Sequence, residues 1–152
     1  MEEDYVAPST KAKERTALYK DEPVLLKDVE FKEENRLKTD IVELDRVLGG
    51  GIVRGSVVLI GGDPGVGKST ISLQVSNQLT KHGLVVLYVS GEESVVQTKL
   101  RAKRLGNLES GNLYIVNQTD LSFIVEYIKK INPDIVIIDS IQVIFEPSIS
   151  SS

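Results

Sequence analysis

Gly62-Asp63-Pro64-Gly65-Val66-Gly67-Lys68-Ser69 fits the pattern G-x-x-x-x-G-K-[ST], and the rest of the chain can be placed around it. In loops of this pattern, glycines let successive backbone N–H groups turn inward around a phosphate, while the lysine and the hydroxyl contact what lies beyond it. About one chain in 200 of this length would carry the pattern by chance. The residues on either side of the loop therefore decide whether it is a phosphate site.

Those flanking segments have the patterns of a strand and a helix. Residues 57–60 are apolar and mostly β-branched, which predicts a buried parallel strand. After the loop, apolar residues recur at every fourth position: Ile71, Val75 and Leu79. This spacing predicts a helix over residues 69–81, and His82-Gly83 is a typical stop signal. A strand, a glycine loop and a helix are the setting that a phosphate loop requires.

A glycine-rich turn that binds no ligand is the alternative. It would leave Lys68 beside the positive end of a helix dipole, with no anion to neutralise either charge. We therefore favour phosphate binding.

The composition is that of an ordinary globular domain. Its 152 residues suffice for one core, and no apolar run approaches the roughly 20 residues that span a bilayer, so no membrane partner is expected. The acidic start, Met1-Glu2-Glu3-Asp4, excludes a secretory signal. The absence of cysteine excludes disulfides and thiolate metal sites and is consistent with a cytoplasmic protein. The net charge of −4 gives no general attraction to nucleic acid.

Two regions are expected along the chain. Residues 1–22 are polar and predict a flexible arm or linker, while residues 23–152 would form the folded domain. Near its start, Thr39 or Asp40 would cap a helix that ends at Gly49-Gly50-Gly51. The residues expected on the buried face of this helix are Ile41, Leu44, Val47 and Leu48.

Strands and helices alternate through the remainder. Apolar runs predict strands at residues 85–89, 113–116 and 135–138. Helical spacing predicts a helix over residues 94–105, with Val96 and Leu100 inward, and another that Thr119 or Asp120 caps. This alternation predicts the α/β class, a three-layer α/β/α fold with a mainly parallel sheet and right-handed crossovers.

Polar residues that suit phosphate chemistry come just after the predicted strands: Lys68, Ser69, Glu92, Glu93 and Asp139. A parallel sheet gathers such residues at the carboxyl ends of its strands, where ligands bind in folds of this class. We therefore expect one site at that edge.

Phosphoryl transfer needs positioning and charge neutralisation more than covalent help. The nucleotide-binding candidates are Gly62, Asp63, Pro64, Gly65, Val66, Gly67, Lys68, Ser69 and Thr70. Loop amides would hold the β-phosphate of ATP, Lys68 would reach the β- and γ-oxygens, and Thr70 would bind a phosphate further in. Ser69 would ligate Mg²⁺, and Asp139 would hold that ion through its water shell. The alternative for Asp139 is a strand-end residue that caps a turn.

Glu92 and Glu93 are the candidates for polarising the attacking water. A carboxylate after the neighbouring strand can lie across the γ-phosphate from Lys68, so these three residues form the predicted catalytic set. Acidic residues are also favoured in the first turn of a helix, so one of the pair could be a solvated helix-start residue. We favour Glu92 as the catalytic carboxylate.

Three further features have ordinary explanations. A basic cluster follows the glutamates: Lys99, Arg101, Lys103 and Arg104. It could bind DNA, but we favour the interpretation that these residues form the solvent-exposed face of a helix. His82 lies at a helix end, where a dipole contact is favourable, and Tyr88 belongs to an apolar strand and is expected in the core.

Several motifs together resemble a known family. Thr39-Asp40-Ile41-Val42-Glu43-Leu44-Asp45, then Leu48-Gly49-Gly50-Gly51-Ile52, Gly55-Ser56 and the phosphate loop, resemble the opening of the RecA-like ATPase core. Within that superfamily, Tyr88-Val89-Ser90-Gly91-Glu92-Glu93-Ser94 and Ile138-Asp139-Ser140-Ile141-Gln142 are similar to the bacterial RadA/Sms DNA repair proteins. The resemblance covers about Pro23 to the end of the sequence.

The resemblance implies an ATP-dependent DNA repair and recombination protein. Such a protein is a homo-oligomeric, hexameric ring motor that binds single-stranded DNA and processes branched recombination intermediates. By motif matching, residues 62–69 would bind ATP, Asp139 would be the acidic strand-end residue, and Glu92 takes the catalytic glutamate position of the RecA-like fold.

Family members usually begin with a four-cysteine zinc module and continue past the acidic strand into further strands and DNA-contacting loops. Because this chain has no cysteine, zinc is expected in the full-length family and not here. We expect the chain to be a piece of the ATPase domain. Two alternatives stay open, a circadian-clock-type RecA-like regulatory ATPase and a non-catalytic nucleotide-binding or assembly module.

Overall fold

A computed structural model describes residues 25–29, 36–106 and 111–147. The chain divides into two units, Met1–Glu33 and Glu34–Ser152. In the first unit, a short 3-10 helix covers Leu26–Asp28, and its side chains are exposed. The predicted boundary between an arm of residues 1–22 and the domain that follows lies outside the described residues.

The centre of the second unit is a three-stranded parallel sheet. Its strands are β3 (Val86–Ser90), β4 (Leu113–Asn117) and β5 (Ile135–Asp139), in the order β4-β3-β5. The registers place Ser90 opposite Asn117 on one side and opposite Asp139 on the other. All three strands therefore end at the same level, as the sequence predicts for a parallel sheet.

Four helices and a small antiparallel pair complete the described part of this unit. The helices are α1 (Val42–Val47), α2 (Lys68–Lys81), α3 (Val95–Arg104) and α4 (Leu121–Ile131). The pair consists of β1 (Arg36–Leu37) and β2 (Ile52–Val53), and a 3-10 helix, Ile141–Val143, follows β5. The predicted alternation of strands and helices is confirmed.

The side chains of β3 separate the two helical layers because successive residues of a strand point to opposite faces. Val86 packs with Val75 and Leu79 of α2 on one face, where Tyr88 also packs with Leu73 and Ala102. On the other face, Leu87 and Val89 pack with Ile124 of α4. All five residues of β3 are buried, so this strand is the middle of three layers.

The predicted strand at residues 57–60 is wrong. These residues form no strand, and their side chains are exposed, Val57 at 97% and Leu59 at 83%. An apolar run becomes a buried strand only if another strand accepts its backbone hydrogen bonds and a helix covers its side chains. Within the described residues, the sheet contains β3, β4 and β5 alone, and no strand pairs with this run.

The predicted cap and buried face of α1 are also partly wrong. Ile41 is the N-cap, while the N–H and hydroxyl of Thr39 donate to Asp45 Oδ1 at 3.0 and 2.8 Å. Ile41 and Leu44 pack against the core as expected, but Val47 is 76% exposed. Leu48, the C-cap, is also partly buried, so Val47 is the predicted position of this face that is exposed.

The inward face of α3 was predicted two residues out of phase. Val96 and Leu100 are 67% and 55% exposed, whereas Thr98 and Ala102 are 1% exposed. The Thr98 hydroxyl donates to the Ser94 carbonyl at 3.2 Å, so it can be buried without losing a hydrogen bond. Small side chains at these positions let α3 approach the sheet closely.

Replacing Leu79 tests the packing of α2 on the sheet. Leu79 is fully buried, so Leu79→Ala should lower the free energy of unfolding by about 2–5 kcal/mol. Leu100→Ala is the matched control, because that side chain is half exposed and its loss should change stability by no more than about 0.5 kcal/mol. Urea unfolding of both variants measures the difference, and equal shifts in midpoint would contradict the assigned core.

Candidate phosphate-binding site

The phosphate loop leads directly into α2. Gly67 is the N-cap of this helix with φ 108°, and Gly65 has φ 81°. Both values lie in the left-handed region that favours glycine, so a side chain at either position would strain the loop. Among the described residues, no side chain caps α2, so its first backbone N–H groups can donate to another acceptor.

Lys68 folds back over the loop. Its Nζ donates to the carbonyl oxygens of Gly62 at 2.7 Å and Asp63 at 2.9 Å, which fixes the ammonium above the turn. A cavity of about 370 Å³ lies beside it, and its lining residues are Gly65, Gly67, Lys68, Ser69, Thr70 and Arg101. Helix N–H groups, hydroxyls and two cations around one cavity are groups that bind phosphate.

Asp139 is the last residue of β5 and accepts a hydrogen bond from the side chain of Tyr88. The phenol oxygen of Tyr88 lies 2.6 Å from Asp139 Oδ2, and Tyr88 is 1% exposed. Burial raises the pKa of the Tyr88 phenol well above its usual range, and the hydrogen bond to the Asp139 carboxylate raises it further. Tyr88 therefore remains a neutral donor and orients the carboxylate. The expectation that Tyr88 belongs to the core is confirmed.

Glu92 lies in the turn after β3, and its side chain is exposed. Ser140 directly follows Asp139 and donates its hydroxyl to Glu92 Oε1 at 2.8 Å. Gly91 donates its N–H to the Asp139 carbonyl at 2.8 Å. These two hydrogen bonds join the turn that carries Glu92 to the end of β5.

Glu93 is held more tightly than Glu92. Ser90 Oγ donates to the Glu93 carbonyl and accepts from its N–H, at 2.8 and 3.0 Å, and Asn117 Nδ2 also donates to that carbonyl at 2.8 Å. The Glu93 carboxylate forms a salt bridge with Arg101. The paired residues Ser90 and Asn117 thus fix the backbone, and Arg101 fixes the side chain.

The structure brings the predicted residues together in two groups. Lys68, Ser69 and Thr70 line the cavity, while Glu92 and Asp139 are joined through Ser140. Arg101 lines the cavity and forms a salt bridge with Glu93, so it connects the first group to the other predicted glutamate. The sequence pattern predicted that Arg101 lies on a solvent-exposed helix face. Helical spacing from Thr98 and Ala102 to Leu105 would have placed it on the inward face.

The protein supplies few candidate ligands for Mg²⁺. In the described part of the chain, no cluster of three or more His, Cys, Asp or Glu side chains could hold a metal ion. Ser69 supplies a hydroxyl in the cavity and Asp139 supplies an oriented carboxylate. Oxygen ligands of this kind, few in number, suit Mg²⁺, which keeps several waters and takes its other ligands from phosphates.

The remaining basic residues and His82 lie away from these contacts. Lys99, Lys103 and Arg104 are exposed on α3. His82 is the C-cap of α2, and its Nε2 lies 2.6 Å from Asp40 Oδ2. A carboxylate contact thus accompanies the dipole contact expected at this helix end. None of the helices in the described residues is both long and apolar enough to span a membrane.

Comparison with known proteins identifies the family. The sequence model described as "ATPase: KaiC" matches residues 37–120, which include the phosphate loop, β3 and α3. The chain belongs to this ATPase family. The predicted RecA-like, three-layer α/β/α P-loop fold with a mainly parallel sheet is confirmed.

Several curated relatives are similar over most of this chain, and each is described as DNA repair protein RadA. The protein of Bacillus subtilis (strain 168) is 52% identical over 130 residues, 86% of this chain and 28% of that protein. The Chlamydia trachomatis protein is 53% identical over the same shares of both chains. The Streptococcus pneumoniae protein is 51% identical over 150 residues, 99% of this chain and 35% of that protein. The resemblance to RadA proteins is thus confirmed, and the chain spans about a third of the length of these relatives.

Replacing Lys68 tests the phosphate site. Lys68→Ala removes the cation that the loop carbonyls orient, so the affinity for a non-hydrolysable ATP analogue should fall by about 10- to 100-fold. Isothermal titration calorimetry with Mg²⁺ present measures this change. Lys99→Ala removes an exposed cation and serves as the control. Unchanged affinity in Lys68→Ala would contradict the assignment of the loop.

Ser69 should affect the metal more than the nucleotide. With Ser69→Ala, the Mg²⁺ concentration at half-maximal analogue binding should rise about tenfold, as expected for a lost contact of about 1.4 kcal/mol. Ser72→Ala is the control, because the Ser72 hydroxyl donates to the Lys68 carbonyl at 2.9 Å inside the helix. If the two variants titrate alike with Mg²⁺, Ser69 is not a metal ligand.

Proposed function

We propose that this chain is the nucleotide-binding part of an ATP-dependent DNA repair and recombination protein. The observation that carries the proposal is the phosphate loop at the uncapped start of α2, in a chain of an ATPase family with about 50% identity to proteins described as DNA repair protein RadA. The substrate is ATP, and the reaction is hydrolysis of its terminal phosphate.

Binding of ATP uses the loop backbone and four side chains, two of them through Mg²⁺. The N–H groups of residues 62–68 hold the phosphates, and Lys68 neutralises the charge on the outer phosphate oxygens. Thr70 lies one position further along α2 than Ser69 and binds a phosphate deeper in the cavity. Ser69 and Asp139 hold Mg²⁺, which neutralises phosphate charge when it is bound.

Glu92 is the residue that polarises the attacking water. Its carboxylate is exposed and accepts a hydrogen bond from Ser140, which leaves further lone pairs to accept a proton from water. Glu93 suits this role less well because its carboxylate is directed to Arg101 on α3, whereas the Glu92 carboxylate contacts Ser140, next to the candidate metal ligand Asp139. The geometry therefore favours Glu92 of the two candidates.

Replacing Glu92 tests the catalytic assignment. Glu92→Gln should lower kcat for ATP hydrolysis by about 10²- to 10⁴-fold, since an amide cannot act as a general base. Affinity for the non-hydrolysable analogue should stay within about twofold, because the variant leaves the loop intact. Glu126→Gln on α4 is the matched control, because Glu126 is exposed and α4 packs on the opposite face of the sheet. Full hydrolysis by Glu92→Gln would remove this residue from the mechanism.

A chimera provides a direct test of the whole-protein function. This chain would replace the matched segment of the Streptococcus pneumoniae relative, and hydrolysis would be measured with and without single-stranded or branched DNA. The proposal expects hydrolysis that DNA stimulates, by a ring of identical subunits. Hydrolysis without any DNA response would favour a regulatory ATPase. Nucleotide binding without turnover would favour a non-catalytic assembly module.

A further inference from the structure

Arg101 occupies an unusual position for a charged residue. It lies on the face of α3 that packs toward the sheet, between Thr98 and Ala102, which are each 1% exposed. Its basic neighbours Lys103 and Arg104 are exposed instead. The Arg101 side chain is still partly exposed, so its contacts rather than its burial indicate what it does.

Arg101 contacts two features of the site. Its guanidinium forms a salt bridge with the Glu93 carboxylate, and it lines the cavity that Lys68, Ser69 and Thr70 also line. It is also close enough for its charge to lower the pKa of Tyr88, against the larger effects of burial and of Asp139. Arg101 therefore lies where the phosphate loop, Glu93 and the end of β5 meet.

The salt bridge is of a kind that can exchange partners at little cost. The Arg101 and Glu93 side chains are 36% and 34% exposed, so solvent screens much of their attraction. A polyphosphate carries more negative charge than one carboxylate does. Arginine can also donate two parallel hydrogen bonds to phosphate oxygens. Phosphate in the cavity would therefore compete with Glu93 for Arg101.

We propose that Arg101 is a second phosphate-binding cation, which Glu93 holds in place and releases to the polyphosphate of a nucleoside triphosphate. The proposal deepens the proposed function and rests on the same site. Lys68 binds from the loop and Arg101 from α3, so the nucleotide is held from two elements. Glu93 is then a positioning residue that competes with the phosphates.

Opposite effects of two substitutions test this role. Arg101→Gln should weaken binding of a Mg²⁺-bound, non-hydrolysable ATP analogue by about 10- to 100-fold. Glu93→Gln should tighten binding by about 2- to 5-fold, because it removes the competing carboxylate. Calorimetry on the whole chain measures both, with inorganic tripolyphosphate as a second probe that lacks base and sugar. Lys103→Gln, on the exposed side of α3, is the control.

A salt bridge with a merely structural role would give a different pattern. Arg101→Gln and Glu93→Gln would then change affinity in the same direction or leave it unchanged, and either result overturns the proposal. Thermal melting checks that each variant folds, and Arg101→Lys, which keeps the charge but not the paired donors, should bind with intermediate affinity if Arg101→Gln is unstable.

Failure of this inference can be told from failure of the phosphate site. If Lys68→Ala loses binding while Arg101→Gln does not, the site stands and Arg101 has no part in it. If the unaltered chain binds neither the analogue nor tripolyphosphate, both proposals fall.

Discussion

The alignment of three parallel strands at one level is the constraint on which the site depends. The register places Ser90 between Asn117 and Asp139, and the hydrogen bonds of the following turn start from these three residues. A shift of β5 by one residue would turn Asp139 to the other face of the sheet. Close packing on β3 resists such a shift, since all five of its residues are buried. The packing of the core therefore also determines the geometry of the site.

Tyr88 makes this coupling visible in a single side chain. Its ring packs with Leu73 of α2 and Ala102 of α3, and its hydroxyl binds Asp139 at the end of the neighbouring strand. The packing of two helices against the Tyr88 ring thus helps to fix the position of the Asp139 carboxylate. Because burial and Asp139 both raise the pKa of the phenol, the contact persists through neutral pH.

The sequence was most informative where local pattern determines structure and least informative where distant segments must meet. The glycine loop, α2 and the continuous apolar strands follow from spacing and residue type, and these place Lys68 and Asp139. Residues 57–60 have the composition of a strand, but composition does not supply a partner, and no described strand pairs with them. Arg101 was missed because the apolar residues Val96 and Leu100 suggested the wrong buried face of α3. The small residues Thr98 and Ala102 form the buried face instead. Its partner, Glu93, lies in the turn just before α3 and outside the helix, so helical spacing does not predict the pair.

The start of α2 links ligand binding to folding. Its first-turn N–H groups have no side-chain acceptor among the described residues, although Ser94 caps α3 and Asp120 caps α4. A bound phosphate would act as the missing cap, and a ligand that binds only the folded chain adds about 2.7 kcal/mol of stability at a concentration of 100 Kd. Amide hydrogen exchange in this turn should slow when phosphate is bound, so the backbone of the loop can itself report occupancy.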